Sequence, residues 1–115
     1  MKAWMTHNPK CGTSRTVLAI LRDRGIAPEI RAYLEAPLSR AELAALIKEM
    51  AVPAHSLVRW KEKDAVAAAG IDRACGDAAV VAAMAANPIL LNRPIVRTDK
   101  GTRLCRPSET VNDLL

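Results

Sequence analysis

The sequence predicts an α/β fold in which a mixed sheet is interrupted along the chain by an all-helical insertion. Three observations lead to this prediction. The beginning of the chain reads as strand, helix, strand, and its end reads as strand, strand, helix, while the alanine-rich stretch from Val52 to Asn87 shows no strand signal. Because 115 residues suffice for one hydrophobic core, we predict a single domain, residues 1–115, with the insertion at about residues 38–87.

The first part of the chain is predicted to form a βαβ unit. Residues 2–6 read as a strand, and residues 13–24 read as a helix that ends at Gly25, a favoured residue after a helix C-terminus. Thr13 or Ser14 is the expected cap at the start of this helix. A second extended segment follows at residues 29–33, and a helical crossover of about three turns makes the two strands parallel.

The insertion begins with a well-marked helix start. Ser39 is followed three residues later by Glu42, which is the pattern of a capping box. Two or three short helices are expected after it, and Asp77 is the predicted cap of the last one.

The end of the chain returns to strands at residues 89–91, 94–97 and 102–105, with residues 98–101 as a hairpin turn. Ser108 is predicted to cap a final helix over residues 109–114. The order β-α-β, helices, β-β-α is that of a thioredoxin-like fold.

Cys11 is the strongest candidate for chemistry. It lies between the first strand and the first helix, where free backbone N–H groups and the positive end of the helix dipole favour a thiolate and can hold an oxyanion. Lys10, Arg15 and His7 are expected to add positive charge that lowers the pKa of the thiol. The alternative, a buried structural cysteine, gives no reason for three basic neighbours. We therefore predict a nucleophilic thiolate.

Three arginines stand at the edges of predicted elements, where their side chains can reach a common cleft. They are Arg59, Arg93 before Pro94, and Arg106 before Pro107. The planar guanidinium group matches two oxygens of a tetrahedral oxyanion. In thioredoxin-like folds a proline at the position of Pro94 is commonly cis and lies beside the active cysteine.

Composition and charge narrow the class of partner. The net charge is +5, and the basic residues are scattered, which favours small anions over nucleic acid. No stretch approaches the roughly 18 apolar residues of a membrane span, and the N-terminus lacks the apolar core of a signal peptide. Three cysteines at no metal-like spacing fit a reducing compartment. We predict a cytoplasmic protein with no metal, nucleic-acid or membrane partner.

Five motifs along the chain carry a resemblance to a known family. The motifs are His-Asn-Pro-Lys-Cys-Gly-Thr-Ser-Arg at residues 7–15, Tyr-Leu-Glu at 33–35, Ser-Leu-Val-Arg at 56–59, Pro-Ile-Leu-Leu-Asn-Arg-Pro-Ile-Val at 88–96, and Gly-Thr-Arg-Leu-Cys-Arg-Pro-Ser-Glu at 101–109. They resemble the motifs of the glutaredoxin-coupled arsenate reductases. The match has the same order and spacing as in that family and runs from residue 5 to the C-terminus.

The resemblance implies a mechanism. Cys11 would attack arsenate to give a thiol–arsenate adduct, glutathione as co-substrate would form a mixed disulfide with Cys11 as arsenite leaves, and glutaredoxin would resolve it. No bound cofactor is implied. His7 matches a residue that helps to depress the thiol pKa. The residues expected to bind the substrate are the three that match the family's oxyanion-binding arginines, Arg59, Arg93 and Arg106, together with Ser14 and Arg15 of the cysteine loop.

Two other functions fit the same fold. A general glutathione-dependent thiol reductase would need only one thiol, but it would have little use for three arginines. A non-enzymatic, redox-sensing transcription regulator that binds RNA polymerase usually carries Cys-x-x-Cys, whereas Ser14 takes the place of the second cysteine. Phosphatase-like chemistry requires Cys-x5-Arg, and Val17 stands at that arginine position.

The other two cysteines are predicted to have no catalytic part. Cys105 is expected in the core, and Cys75 is expected to be an ordinary small residue of the insertion.

Overall fold

Four strands form one mixed sheet in the computed structural model, which describes residues 1–115. The strands are β1 (Ala3–Thr6), β2 (Glu29–Arg31), β3 (Ile95–Thr98) and β4 (Gly101–Leu104), in the spatial order β2-β1-β3-β4. β1 pairs parallel with β2 and antiparallel with β3, and β3 pairs antiparallel with β4. Helices alone occupy the chain between β2 and β3. The predicted thioredoxin-like mixed sheet with a helical insertion is confirmed.

Helix α1 (Gly12–Asp23) connects the two parallel strands. Its apolar residues recur at helical spacing, so that one face is buried against the sheet and the C-terminal segment. After the helix, Gly25 adopts φ +75°, a left-handed conformation that glycine accepts without steric cost. The residues that form this core are Met5, Val17, Leu18, Leu21, Val96, Cys105, Val111 and Leu114.

The predicted cap of α1 is wrong. Cys11 itself is the N-cap residue, with extended backbone at φ −92° and ψ 120°, and the helix already begins at Gly12. Ser14 is therefore an interior residue of the first turn and is fully buried. Its hydroxyl is used inside the cysteine loop, where sequence spacing alone could not place it.

The C-terminal hairpin is confirmed, but the helix after it is of another type. Thr98 pairs with Gly101 across a two-residue turn. The last segment, Ser108–Leu114, is a 3₁₀ helix that starts at Ser108 after Pro107 as N-cap. Val111 and Leu114 of this segment are buried and complete the core beneath α1.

The chain divides into two compact units. One comprises Met1–Ala36 and Arg93–Leu115, which contain the sheet, and the other comprises Pro37–Asn92. The second unit holds α2 (Arg40–Met50), α3 (Lys63–Ala69) and α4 (Asp77–Ala86), with 3₁₀ helices at Ala54–Leu57 and Pro88–Leu90. None of the helices is long and apolar enough to cross a membrane.

Of the two helix caps predicted in the helical unit, one is confirmed and one is wrong. The capping box of α2 is present: Ser39 Oγ accepts a bond from the Glu42 N–H at 3.1 Å, and the Ser39 N–H donates to Glu42 Oε1 at 3.0 Å. Asp77 is not a cap, because Gly76 holds that position in α4. The Asp77 carboxylate instead accepts a bond from the Ala54 N–H at 3.0 Å.

The strand predicted at residues 89–91 is also wrong. Pro88–Leu90 is a 3₁₀ helix with proline in its first turn, where its fixed φ fits and its missing N–H is not needed. Leu91 forms only an isolated antiparallel bridge with Val58.

Thr6 provides a test of how the end of β1 fixes the start of β3. Its side chain is fully buried, and its hydroxyl accepts a hydrogen bond from the Ile95 N–H at 2.9 Å. Thr6→Val keeps the shape but leaves that buried N–H without an acceptor, so we expect the free energy of unfolding to fall by about 1–3 kcal/mol in urea denaturation. Thr16→Val, at an exposed position of α1, should change it by less than about 0.5 kcal/mol. Equal stability of the two variants would contradict this role.

Candidate active site

The loop between β1 and α1 is held by Asn8. Its backbone C=O accepts a bond from the Cys11 N–H at 2.9 Å, its Oδ1 accepts one from the Lys10 N–H at 3.0 Å, and its own N–H donates to Ser14 Oγ at 3.1 Å. Asn8 is buried, with 6% of its surface exposed. These three bonds fix Cys11 at the N-terminus of α1. Sequence reasoning missed Asn8, although an Asn-Pro pair directly after a strand is a signal for a structured turn.

The environment of Cys11 favours its thiolate. Burial alone raises the pKa of this thiol, which is only 8% exposed. The Ser14 backbone N–H, hydrogen bonds from Arg93 and Arg106, and the charge of Arg93 outweigh burial and lower the pKa from 9.0 to about 7. A large fraction of Cys11 is therefore ionised at neutral pH.

Two of the three predicted arginines meet at Cys11. Arg106 Nη1 lies 3.8 Å from Cys11 Sγ and donates to the backbone C=O of Arg93 at 3.0 Å. Arg93 is buried, with 8% of its surface exposed, and its side chain also stabilises the thiolate. The Arg93–Pro94 peptide bond is cis, as expected, and so is Arg106–Pro107. The predicted nucleophile and two of the three predicted oxyanion-binding arginines thus lie at one place.

His7 contributes a hydrogen bond rather than a charge. Burial, followed by the positive charges of Arg22 and Arg15, lowers the pKa of its imidazole, which favours the neutral ring. These surroundings argue against the positive charge predicted at His7. Its Nδ1 lies 2.7 Å from Ser14 Oγ, and a neutral ring can accept the hydroxyl proton there. This bond braces the helical turn whose N–H faces Cys11.

Arg15 is also engaged within the loop. Its Nη1 donates to the Pro9 C=O at 2.9 Å, and the side chain is exposed. The arginines that lower the pKa of Cys11 are Arg93 and Arg106, from the C-terminal part of the chain. The sequence predicts that these arginines bind an oxyanion, but it does not predict that they stabilise the thiolate.

Arg59 belongs to the helical unit. Its backbone N–H donates to the Leu90 C=O at 2.7 Å, and its Nε pairs with Glu62 Oε1 at 3.4 Å. Its part in oxyanion binding stays a prediction.

The three cysteines are free thiols with different surroundings. Cys105 is fully buried in the core, and burial raises its pKa to about 12, so the predicted core position is confirmed. Cys75 is partly exposed in the turn between α3 and α4, where its sulfur accepts a bond from the Asp72 N–H at 3.4 Å. No group of three or more His, Cys, Asp or Glu side chains is placed to hold a metal ion.

The fold and the site together define a thioredoxin-like protein with one activated cysteine between arginines. Comparison with known proteins identifies the family: the ArsC family model matches residues 6–114, and the chain belongs to this family.

Named relatives and a solved structure agree with this assignment. The chain is 44% identical over 115 residues to an arsenate reductase of Rhizobium meliloti, covering 100% of this chain and 82% of that protein. It is 46% identical over 109 residues to an arsenate reductase of Escherichia coli, covering 95% of this chain and 77% of that protein. The structure of an arsenate reductase from Vibrio cholerae matches with a TM-score of 0.92 and 38% identity, over 100% of this chain and 98% of that one.

The thiolate environment predicts a pH dependence that one arginine controls. Because a pKa of about 7 leaves Cys11 ionised above neutrality, its alkylation by iodoacetamide should rise with pH and reach half its maximum near pH 7. Arg106→Gln removes a charged donor, so the midpoint should move up by about one pH unit. The measurement is the alkylation rate across pH, in a Cys75→Ser background.

Lys10→Gln is the matched control, because it removes a positive charge from the loop itself. Its midpoint should move by less than that of Arg106→Gln. A larger effect of Lys10→Gln would place the stabilising charge in the loop and contradict this description of the site.

Proposed function

We propose that this protein is an arsenate reductase in which Cys11 is the nucleophile. The observation that carries the proposal is the approach of Arg106 to Cys11 Sγ, with Arg93 beside it. An ionised sulfur and two guanidinium groups at one place suit attack on a tetrahedral oxyanion. The relatives named above bear the name arsenate reductase at 44% and 46% identity.

In the first step the Cys11 thiolate attacks arsenic. A sulfur–arsenic bond forms, and one arsenate oxygen leaves as water after taking up protons. Arg93 and Arg106 stabilise the negative charge on sulfur before the attack and on the arsenate oxygens afterwards. The free N–H groups at the start of α1, with Ser14 in its first turn, offer further donors to those oxygens. We also assign Arg59 to arsenate binding, and Arg15 to the binding of substrate beside the cysteine loop.

In the second step glutathione acts as co-substrate. Its sulfur attacks Cys11 Sγ, a disulfide forms, and the electron pair of the sulfur–arsenic bond passes to arsenic. Arsenic(V) is thereby reduced to arsenic(III), which leaves as arsenite, while two thiols together lose two electrons. The electrons come from thiols, so the reaction uses no bound metal or organic cofactor.

An external thiol is needed because the unit that carries Cys11 holds one other cysteine, Cys105, which is not reactive. Cys105 is fully buried with a pKa of about 12, which keeps it protonated. We propose that glutaredoxin restores Cys11, since its thiolate can attack the glutathione sulfur of the mixed disulfide and release the Cys11 thiolate. Because these steps need reduced thiols, we propose that the protein acts in the cytoplasm.

A coupled assay tests the activity. NADPH oxidation is followed with glutathione reductase, glutathione and glutaredoxin, with and without arsenate. With the wild-type protein, NADPH should be consumed only when arsenate, glutathione, glutaredoxin and glutathione reductase are all present. Cys11→Ser should abolish the arsenate-dependent rate, because no sulfur remains to form the adduct. Cys75→Ser, the matched control, should keep most of it.

Two results would contradict the proposal. Arsenate turnover by Cys11→Ser would refute Cys11 as the nucleophile. Turnover of a small mixed disulfide without any response to arsenate would make the protein a general thiol reductase.

Loss of Arg93 or Arg106 should lower the catalytic efficiency with arsenate. Arg93→Ala and Arg106→Ala should each lower kcat/KM for arsenate on the order of 10²-fold, because each removes a donor to the developing charge. Arg103→Ala, which removes an exposed arginine close to Arg106 in sequence, should change it less than about twofold. Circular dichroism checks that each variant is folded. Equal loss in all three variants would show a general charge effect instead of a local site.

A further inference from the structure

A groove runs along the exposed side of α1, beginning at the loop that carries Cys11. Its volume is about 450 Å³, within the range of small-molecule sites. Leu18 and Ala19 contribute apolar surface to it. Its other lining residues are His7, Pro9, Arg15, Arg22 and Asp23.

The groove adjoins the reactive loop through three of these residues. His7 and Pro9 precede Cys11, and the ring of His7 is bonded to Ser14, whose N–H faces the thiolate. Arg15 Nη2 lies 3.7 Å from the position a Cβ would take at Gly12, next to Cys11. A molecule lying in the groove therefore has one part beside the cysteine loop.

The charges of the groove form a distinct set. Arg15 and Arg22 supply two guanidinium groups, and Asp23 supplies one carboxylate, all exposed. Both guanidinium groups lie close enough to His7, another lining residue, for their charges to lower the pKa of its imidazole. These three charges complement a ligand that has two negative groups and one positive group.

We propose that this groove binds glutathione and presents its thiol to Cys11. Glutathione has two carboxylates and one ammonium group, the complement of two guanidinium groups and one carboxylate. Arg15 and Arg22 bind the carboxylates, Asp23 binds the ammonium group, and the central cysteine of the tripeptide lies towards the loop. The inference rests on the proposed function, in which glutathione is the second substrate.

Thiol–disulfide exchange tests the groove without arsenate. The Cys11 thiolate attacks one sulfur of glutathione disulfide, a mixed disulfide forms, and one glutathione thiolate leaves. Arg22→Gln should slow this reaction about fivefold, because it removes one charged contact at an exposed site. It should leave the reaction with hydroxyethyl disulfide, which carries no charge, unchanged. All proteins carry Cys75→Ser, so that Cys11 is the accessible thiol.

Arg24→Gln is the matched control, since Arg24 is exposed, follows the same helix and does not line the groove. It should slow exchange with glutathione disulfide by less than about twofold. An equal effect of both variants, or an equal slowing with the uncharged disulfide, would overturn the inference.

Arsenate turnover separates failure of the groove from failure of the proposed function. Arg22→Gln should raise KM for glutathione about fivefold and leave KM for arsenate and for glutaredoxin unchanged. A rise confined to KM for glutaredoxin would make the groove a contact for the partner protein and overturn the inference. If the wild type reduced no arsenate while exchange discriminated as expected, the proposed function would fail and the glutathione groove would stand.

Discussion

The arrangement of the site depends on one guanidinium group. Arg106 Nη1 donates to the Arg93 C=O at 3.0 Å and lies 3.8 Å from Cys11 Sγ, so it joins the two ends of the chain at the reactive sulfur. The sheet makes this possible, because β1 and β4 end at the edge where the antiparallel β3 begins. The bond from the Ile95 N–H to Thr6 Oγ1 fixes that edge. The topology of the sheet therefore brings the groups that stabilise the thiolate to Cys11.

A second group of residues fixes the position of the cysteine. Asn8 holds the loop by three hydrogen bonds, and neutral His7 braces Ser14. Arg93 and Arg106 thus supply the positive charge beside the sulfur, whereas uncharged groups fix its position. Because burial raises the pKa of Cys11, the Ser14 N–H and the two arginines must outweigh burial before the thiolate can form. In the proposed reaction the same arginines bind the oxyanion. The same two arginines therefore suit both the Cys11 thiolate and the arsenate of the proposed reaction.

Local sequence signals predicted the elements whose cause is local. The capping box at Ser39, the hairpin at residues 98–101 and the position of Cys11 before α1 all follow from neighbouring residues. The apolar residues 89–91 fit a strand, yet Pro88–Leu90 is a 3₁₀ helix in which Leu90 is buried and Ile89 is exposed, so local pattern does not determine their structure. Burial and Arg22, fifteen positions away, favour the neutral His7 ring, which no spacing rule reveals. Arg93 and Arg106 were found as candidates, but their contact with Cys11 needed the folded sheet.

We propose that arsenate bound by the arginines is reduced to arsenite at Cys11, which is left as a mixed disulfide with glutathione. The most direct measurement is a single turnover with arsenate and glutathione but no glutaredoxin, followed by peptide mapping by mass spectrometry. We expect glutathione on the peptide that contains Cys11, at about one equivalent, and only when arsenate is present. Glutathione on Cys75 instead, or labelling of Cys11 that does not depend on arsenate, would contradict it.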